Sequence, residues 1–468
     1  MSEVRDLAAL AGDLAGMTLF TERVDLLAYR RDCSVVKPGE PDLVARPRDT
    51  AEVQTILRSA AHDGVPVYVR GGGSMYAGGS NPHAGGIVID TTGMARILDL
   101  DVDRGIVVVE PGVRFGAVLE ALRPHGQTVG IVPLTGPTAT IGGAVAAHAL
   151  GTGSPRHQSL GDCVAGLEVV LADGTRLRTG SAASEAAGFF QRYCIGPDLT
   201  GLFLGSDAVF GVVTAIALWL FPLPAVRDTL CLGFADAAAA GTFLARVQAR
   251  ELTRNAWYAA GYERATIQAR VRAADPSCDP AALPGFCVAF DLGGDRSAID
   301  ADRGALVDLA QTLGASEFAA FDQAYFRRLR YDETYWYSYA GYFTRSRCAI
   351  LMSSLPCDRL TSFLAVVDGL RARWSDHVWG AAVVVCRRGL HGGLLVFYDE
   401  RTEWDAIRPA VDEAAAALVR AGCVPYKSGK QWAAEVRGFT AYSEVLGRIK
   451  RGLDPQGILG RGNLGLDV

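Results

Sequence analysis

Two glycine clusters carry the clearest chemistry in this chain. The first is Val67-Tyr68-Val69-Arg70-Gly71-Gly72-Gly73-Ser74-Met75-Tyr76-Ala77-Gly78-Gly79, a strand-like stretch that runs straight into glycines. Glycine lets the backbone take positive φ and turn successive N–H groups toward one oxyanion, which is how a nest of amides holds a phosphate. A pyrophosphate suits that arrangement. A GxGxxG nucleotide fingerprint does not, because the third position after Gly71 and Gly73 is Tyr76 and no helical pattern follows. The plain alternative is a tight surface turn. The second cluster runs from Gly136 through Thr138, Ala139, Thr140, Ile141, Gly142 and Gly143 to Ala147, small at nearly every position. It predicts a planar or extended group lying against the backbone, with close helix packing as the rival explanation.

These clusters need elements to hold them. Ala51–Ala61 spaces Val53, Ile56 and Leu57 at helical intervals and Val65–Val69 alternates, so a β-α-β unit is expected around the first loop. A second such unit is expected from a strand at 105–110, a helix at 115–122 and a strand at 128–132, followed by a hairpin turning at Asp173-Gly174. After Pro224 the pattern changes to long alternating strands separated by helices near 236–250, 298–313, 357–373 and 403–421, an α+β region with a mostly antiparallel sheet. At 468 residues two domains are the default. The net charge of −5 gives no electrostatic reason to expect nucleic acid or anionic lipid as a partner. The start lacks a basic, apolar leader and the longest apolar run, near 215–223, is too short to cross a bilayer, so a cytoplasmic location is expected. Ten scattered cysteines without a CxxC pair read as reduced thiols.

The landmarks PDLVARPRDTAEV, VYVRGGGSMYAGGS, VVVEPGV, TATIGGAVA, GLEVVLADGTRLRTG, DLTGLFLGSDAVFGVVT and the tail LDPQGILGRGNLG, in that order, resemble the FAD-linked oxidase superfamily of vanillyl-alcohol oxidase and para-cresol methylhydroxylase. The resemblance implies a two-domain α+β flavoprotein: an FAD-binding domain over residues 1–224, an antiparallel-sheet cap over 225–420, and a segment 421–468 that returns to the first domain. It implies FAD as cofactor, with Arg70, Gly71, Gly72, Gly73 and Ser74 cradling the pyrophosphate. Pro133, Thr140, Ile141, Gly142, Gly143, Gly211, Val212 and Val213 would line the flavin and adenine, and Asn463 would lie near the flavin.

Two branches of that superfamily compete. Relatives of the glycolate oxidase flavin subunit carry a paired-histidine cap segment, whereas the comparable stretch here, Val384 to Gly393, keeps only His391, so no metal is expected. The vanillyl-alcohol oxidase branch is matched by Tyr76 after the glycine loop, by Tyr426-Lys427 where a Tyr-Arg pair occurs, and by His391 as a cap histidine. Two tyrosine hydroxyls and a cation gathered on one oxygen would favour a phenolate, whose electrons drive a hydride onto flavin N5. Lysine, a point charge, would orient less tightly than a bidentate arginine. The branch's aspartate near N5 is replaced by Leu134, with Asp162 or His157 as substitutes if the fold brings one close. Ser74 stands where some relatives attach the flavin to a histidine, which leaves His391 as the covalent candidate. The aromatic run from Tyr331 to Phe343 reads as packing or as a pocket lining, and Arg345 and Arg347 would share one face of a strand.

The reading is therefore an FAD-dependent oxidase or dehydrogenase of a phenolic or related aromatic small molecule. A 2-hydroxy acid or polyol dehydrogenase is the alternative, and a flavin-binding protein without catalysis is a third. A homodimer stays open.

Overall fold

The computed structural model describes Gly12 and residues 14–136, 138–268, 279, 283–318 and 347–466. The aromatic run at 331–343 and Arg345 lie outside the described residues.

Among the described residues three large sheets form the framework, with a fourth, two-stranded one joining Val132–Pro133 to Gly151–Thr152. In the first, Thr18–Phe20, Leu43–Arg46, Ile87–Asp90 and Val67–Arg70 lie side by side in that order. Leu43–Arg46 and Val67–Arg70 each pair in parallel with Ile87–Asp90 between them. The crossover helix is Thr50–Asp63. It starts where the Asp49 side chain accepts from Glu52 N, stops at left-handed Gly64, and buries Val53, Ile56, Leu57 and Ala60 against the sheet. The β-α-β unit read around the first glycine loop is thus present.

The second sheet is antiparallel and centres on the strand Val212–Pro222. Here the expected second β-α-β unit is corrected. Strands Ile106–Val109 and Gln127–Val129 do flank the helix Phe115–Leu122, yet each pairs antiparallel with Val212–Pro222 and not through a shared parallel ladder. That eleven-residue apolar strand is long enough to offer Ile216–Trp219 to one and Leu220–Pro222 to the other. The hairpin Val164–Val170 to Arg176–Arg178 turns at Gly174, whose φ is 81°.

The third sheet has eight strands among the described residues, paired antiparallel throughout. Helices Ala237–Ala249, Arg296–Gln311, Leu360–Arg373 and Trp404–Arg420 pack on one face, around a core that includes Phe243, Phe290, Phe363 and Leu394. Alternation along the strand Arg347–Leu355 sends Ala349 and Leu351 into that core and Ile350 and Met352 to the opposite face. The opposite face packs on the glycine-rich half through Tyr76 and Tyr426.

The tail closes the circuit. After the helix Thr440–Leu453 it runs alongside the glycine-loop strand, with Val67 N donating to Ile458 O at 2.8 Å and Gly460 N to Val67 O at 2.9 Å. Lys450, buried, donates to Val209 O at 2.8 Å and Leu459 O at 2.7 Å and pairs with Asp454.

Candidate functional site

The two glycine clusters face each other across one cleft, whose space including its mouth is about 1420 Å³. A Cβ on Gly72 would stand 1.8 Å from Thr138 O, and one on Gly71 would stand 2.2 Å from Thr140 Oγ1. Side chains at those positions are therefore excluded by the other cluster. Gly73 turns the loop with φ 65°. The loop is pinned from behind, where Cys33 N donates to Met75 O at 2.8 Å and Gly78 N to the Asp32 carboxylate at 2.8 Å. Gly71 to Ser74 line the cleft; the Arg70 side chain does not. Its guanidinium turns back, donates to Arg31 O at 2.7 Å and lies over the Tyr29 ring.

From the second cluster, Pro133, Leu134, Thr140, Gly142 and Gly143 reach the cleft. Thr140 caps the short helix Ile141–Ala146 by accepting from Gly143 N at 3.2 Å. Ile141 is fully buried in the core behind it. On the strand Val212–Pro222, Val213 lines the cleft with Gly211 while Val212, one residue out of phase, points into the other core. Asn463 lies behind the wall, buried, donating to Gly79 O at 2.9 Å and Asp207 O at 3.1 Å and accepting from Lys430 Nζ at 2.7 Å.

At the end under the eight-stranded sheet, Tyr76, Tyr426 and Lys427 come together from segments far apart in sequence, with Ile350, Met352 and Val384 as apolar floor. The Tyr426 hydroxyl donates to His148 O, and burial raises its pKa well above the usual 10. His391 is not in the cleft. It lies behind Tyr426, ring centroids 4.5 Å apart, with Nδ1 at 3.1 Å from Ser354 Oγ. Burial, helped by Lys427 and His148, brings its pKa down to about 4. Leu134 faces the cleft without a carboxylate. Neither proposed substitute reaches it: Asp162 accepts from Ser159 N at 3.0 Å in a capping box, and His157 packs 4.0 Å from the Phe221 ring. Arg347 donates to Glu400 at 2.9 Å. Among the described residues no group of three His, Cys, Asp or Glu side chains is placed to hold a metal ion.

Sequence reasoning missed two polar groups of this site. Asp207 lines the cleft, and burial pushes its carboxyl up to about 7 against the pull of Lys430, the Gly429 amide and Lys427, with Asp32 adding to the rise. Lys430 is buried behind the wall, donating to Gly78 O at 3.1 Å and Gly79 O at 3.4 Å. Burial lowers both Lys427 and Lys430 to about 8, with Asp207 acting in the opposite direction on each.

Residues 41–180 match the FAD binding domain family. Similar curated proteins include the glycolate oxidase subunit GlcD of Bacillus subtilis, 34% identical over 44% of this chain and 42% of that protein. The mitochondrial cytochrome D-lactate dehydrogenase of Arabidopsis thaliana is 36% identical over 39% of this chain and 31% of that protein. The matched stretches thus span less than half the length of these relatives. Over the whole chain the fold is that of p-cresol methylhydroxylase, solved with substrate bound, at TM-score 0.83 and 17% identity, covering 100% of this chain and 98% of that one. The 4-ethylphenol oxidase of Gulosibacter chungangensis, in its isoeugenol complex, matches at TM-score 0.83 and 21% identity with the same coverages. The chain carries an FAD-binding domain, and its cofactor is FAD. The cleft suits that group: it runs unbroken from the glycine loop at Gly71–Ser74 to the apolar floor beneath the sheet, and the glycines let the two loops that line it pack closely against each other.

Proposed function

We propose that this chain is an FAD-dependent oxidoreductase that oxidises a phenolic or related aromatic small molecule. The observation that carries this reading is the convergence of Tyr76, Tyr426 and Lys427 on one end of the cleft, against Met352. The backbone amides of Gly71 to Ser74 hold the pyrophosphate, and Gly142, Gly143, Gly211 and Val213 leave room for the extended cofactor. FAD, when bound there, would supply the two-electron acceptor for the oxidation. Tyr76 and Tyr426 wall an aromatic ring, and because the Tyr426 hydroxyl is engaged by His148 O, it contributes surface more than a proton. Lys427 is the cation that stabilises the substrate's phenolate oxygen, while the phenolic proton leaves to solvent. The apolar floor excludes water and strengthens that attraction. On this reading the flavin half comprises residues 1–224 and 421–468, with residues 225–420 as cap.

A 2-hydroxy acid substrate is the second reading. It is favoured by the identity of 34–36% to the glycolate oxidase subunit and the D-lactate dehydrogenase, and by Lys427, which would hold a carboxylate equally well. Anaerobic mixing decides. Flavin bleached by 4-alkylphenols but not by D-lactate or glycolate supports the first reading, and the reverse replaces it with the second. A flavin that none of them reduces points to binding without catalysis.

A further inference from the structure

Leu134 leaves its side of the cleft without a carboxylate, and Asp207 supplies one from another wall. Asp207 and Ala208 are consecutive non-glycine residues in the left-handed region, with φ of 46° and 60°. Two such residues in a row persist only where surroundings hold them, and they gather at functional sites. Here the backbone is held by Asp207 N to Ala146 O at 3.1 Å and by Asn463 Nδ2 to Asp207 O at 3.1 Å. Room for the carboxylate comes from Gly79, where a Cβ would stand 3.0 Å from Asp207 Cγ. Lys427, also left-handed at φ 58°, lines the same cleft with its ammonium 5.5 Å from the Tyr426 ring centre.

The charged neighbours divide by what already engages them. Asp32 accepts from Ser34 N and Oγ and from Gly78 N, and Lys430 is bonded to two carbonyls and Asn463. On Asp207 itself Lys430 pulls harder than Asp32 pushes, and Lys427 pulls in the same sense as Lys430. His391, neutral at ordinary pH, and Tyr426, protonated, add no charge on the other side of Lys427. Among the described residues, the anion left to set the charge of Lys427 is Asp207.

We propose that Asp207 is the countercharge that keeps Lys427 protonated at the substrate end of the cleft, a positioning residue acting through Lys427 on the bound phenolate. The assignment of the phenolate rests on the function proposed above; the Asp207–Lys427 pairing does not. Burial disfavours the ammonium, and among the described residues Asp207 is the group that raises its pKa.

Competitive trace acetylation of the holoenzyme, read at Lys427 by peptide mass spectrometry across pH 6–10, tests the pairing directly. Asparagine tolerates a left-handed backbone, so Asp207→Asn keeps the turn while removing the charge. The half-labelling pH of Lys427 should fall by about one unit, which from a start of about 8 raises the free-amine fraction at pH 7 roughly fivefold, with exposed Lys37 unchanged as internal standard. Asp207→Gly, equally suited to the turn, should give the same shift and serves if the first variant does not accumulate folded. Phenol-dependent flavin reduction should then lose its alkaline limb at lower pH, and Lys427→Arg in the Asp207→Asn background, being always charged, should restore it. An unchanged half-labelling pH at Lys427 in the folded variants overturns the proposal. A shift in labelling without any reduction by phenols keeps the pair and discards the substrate reading instead.

Discussion

At the residue scale, His391 shows how burial sets chemistry. Its ring is wedged between Tyr426 and Ser354 and is 8% exposed, so the neutral form is the one the fold accepts. The folded pKa of about 4 lies below the ordinary 6.5. Between those values the unfolded chain takes up a proton that the folded chain refuses. Stability from this group is complete above pH 6.5 and declines as pH falls toward 4, by about 1.4 kcal/mol per unit. His157, also brought to about 4 by burial, adds a slope of the same sign. His391→Gln should flatten the loss of urea stability between pH 6.5 and 4.5 relative to wild type, and equal slopes in the two proteins would refute the buried neutral ring. The glycine loop was legible in the sequence because residue type alone carries its chemistry, whereas Tyr76, Tyr426 and Lys427 were singled out through the family resemblance, and the fold sets all three on one cleft. Asp207 was not, since an aspartate inside GSDAVFGVVT reveals nothing until two left-handed residues turn it into the cleft. Arg70, Ile141 and Val212 were read as cofactor contacts from the resemblance; the Arg70 guanidinium turns back, Ile141 on its short helix faces the core, and strand alternation sends Val212 into the other core.

At the scale of elements, the last helix owes its docking to one buried lysine. Lys450 ties Thr440–Leu453 both to Val209, just ahead of the cleft-lining Gly211, and to Leu459 in the tail, while Asp454 accepts from Ile458 N at 3.0 Å and Leu459 N at 2.8 Å. Removing only the cation leaves a buried carboxylate and two carbonyls without their donor. Lys450→Met should therefore cost about 3 kcal/mol in urea unfolding, and a cost below about 1 kcal/mol, the scale of a surface pair, would show that other contacts dock the tail. Helical periodicity made the four cap helices legible, as their buried stripes recur every three or four residues. The strand Ala256–Glu263 escaped notice because its sequence, AWYAAGYE, lacks any Val, Ile or Thr. The pairing of Ile106–Val109 and Gln127–Val129 was equally hidden, because both are served by one long strand that arrives about a hundred residues later.

At the scale of the molecule, the cleft belongs to both halves, with the glycine loops on one side and Ile350, Met352 and Val384 of the sheet on the other. A cofactor seated there binds the folded, joined form and not the unfolded chain, so the melting temperature should climb with added FAD. At a hundredfold excess over Kd the gain is about 2.7 kcal/mol, and thermal melts across an FAD series that do not move would show that the halves are joined without it. The tail's ladder onto Val67 has a consequence for how the protein is made. The outer edge of the very strand that leads into the first glycine loop stays bare until residues 458–460 arrive, about 390 residues further along the chain. A nascent or clipped chain lacking those residues thus offers an open edge on which a stranger's strand can add.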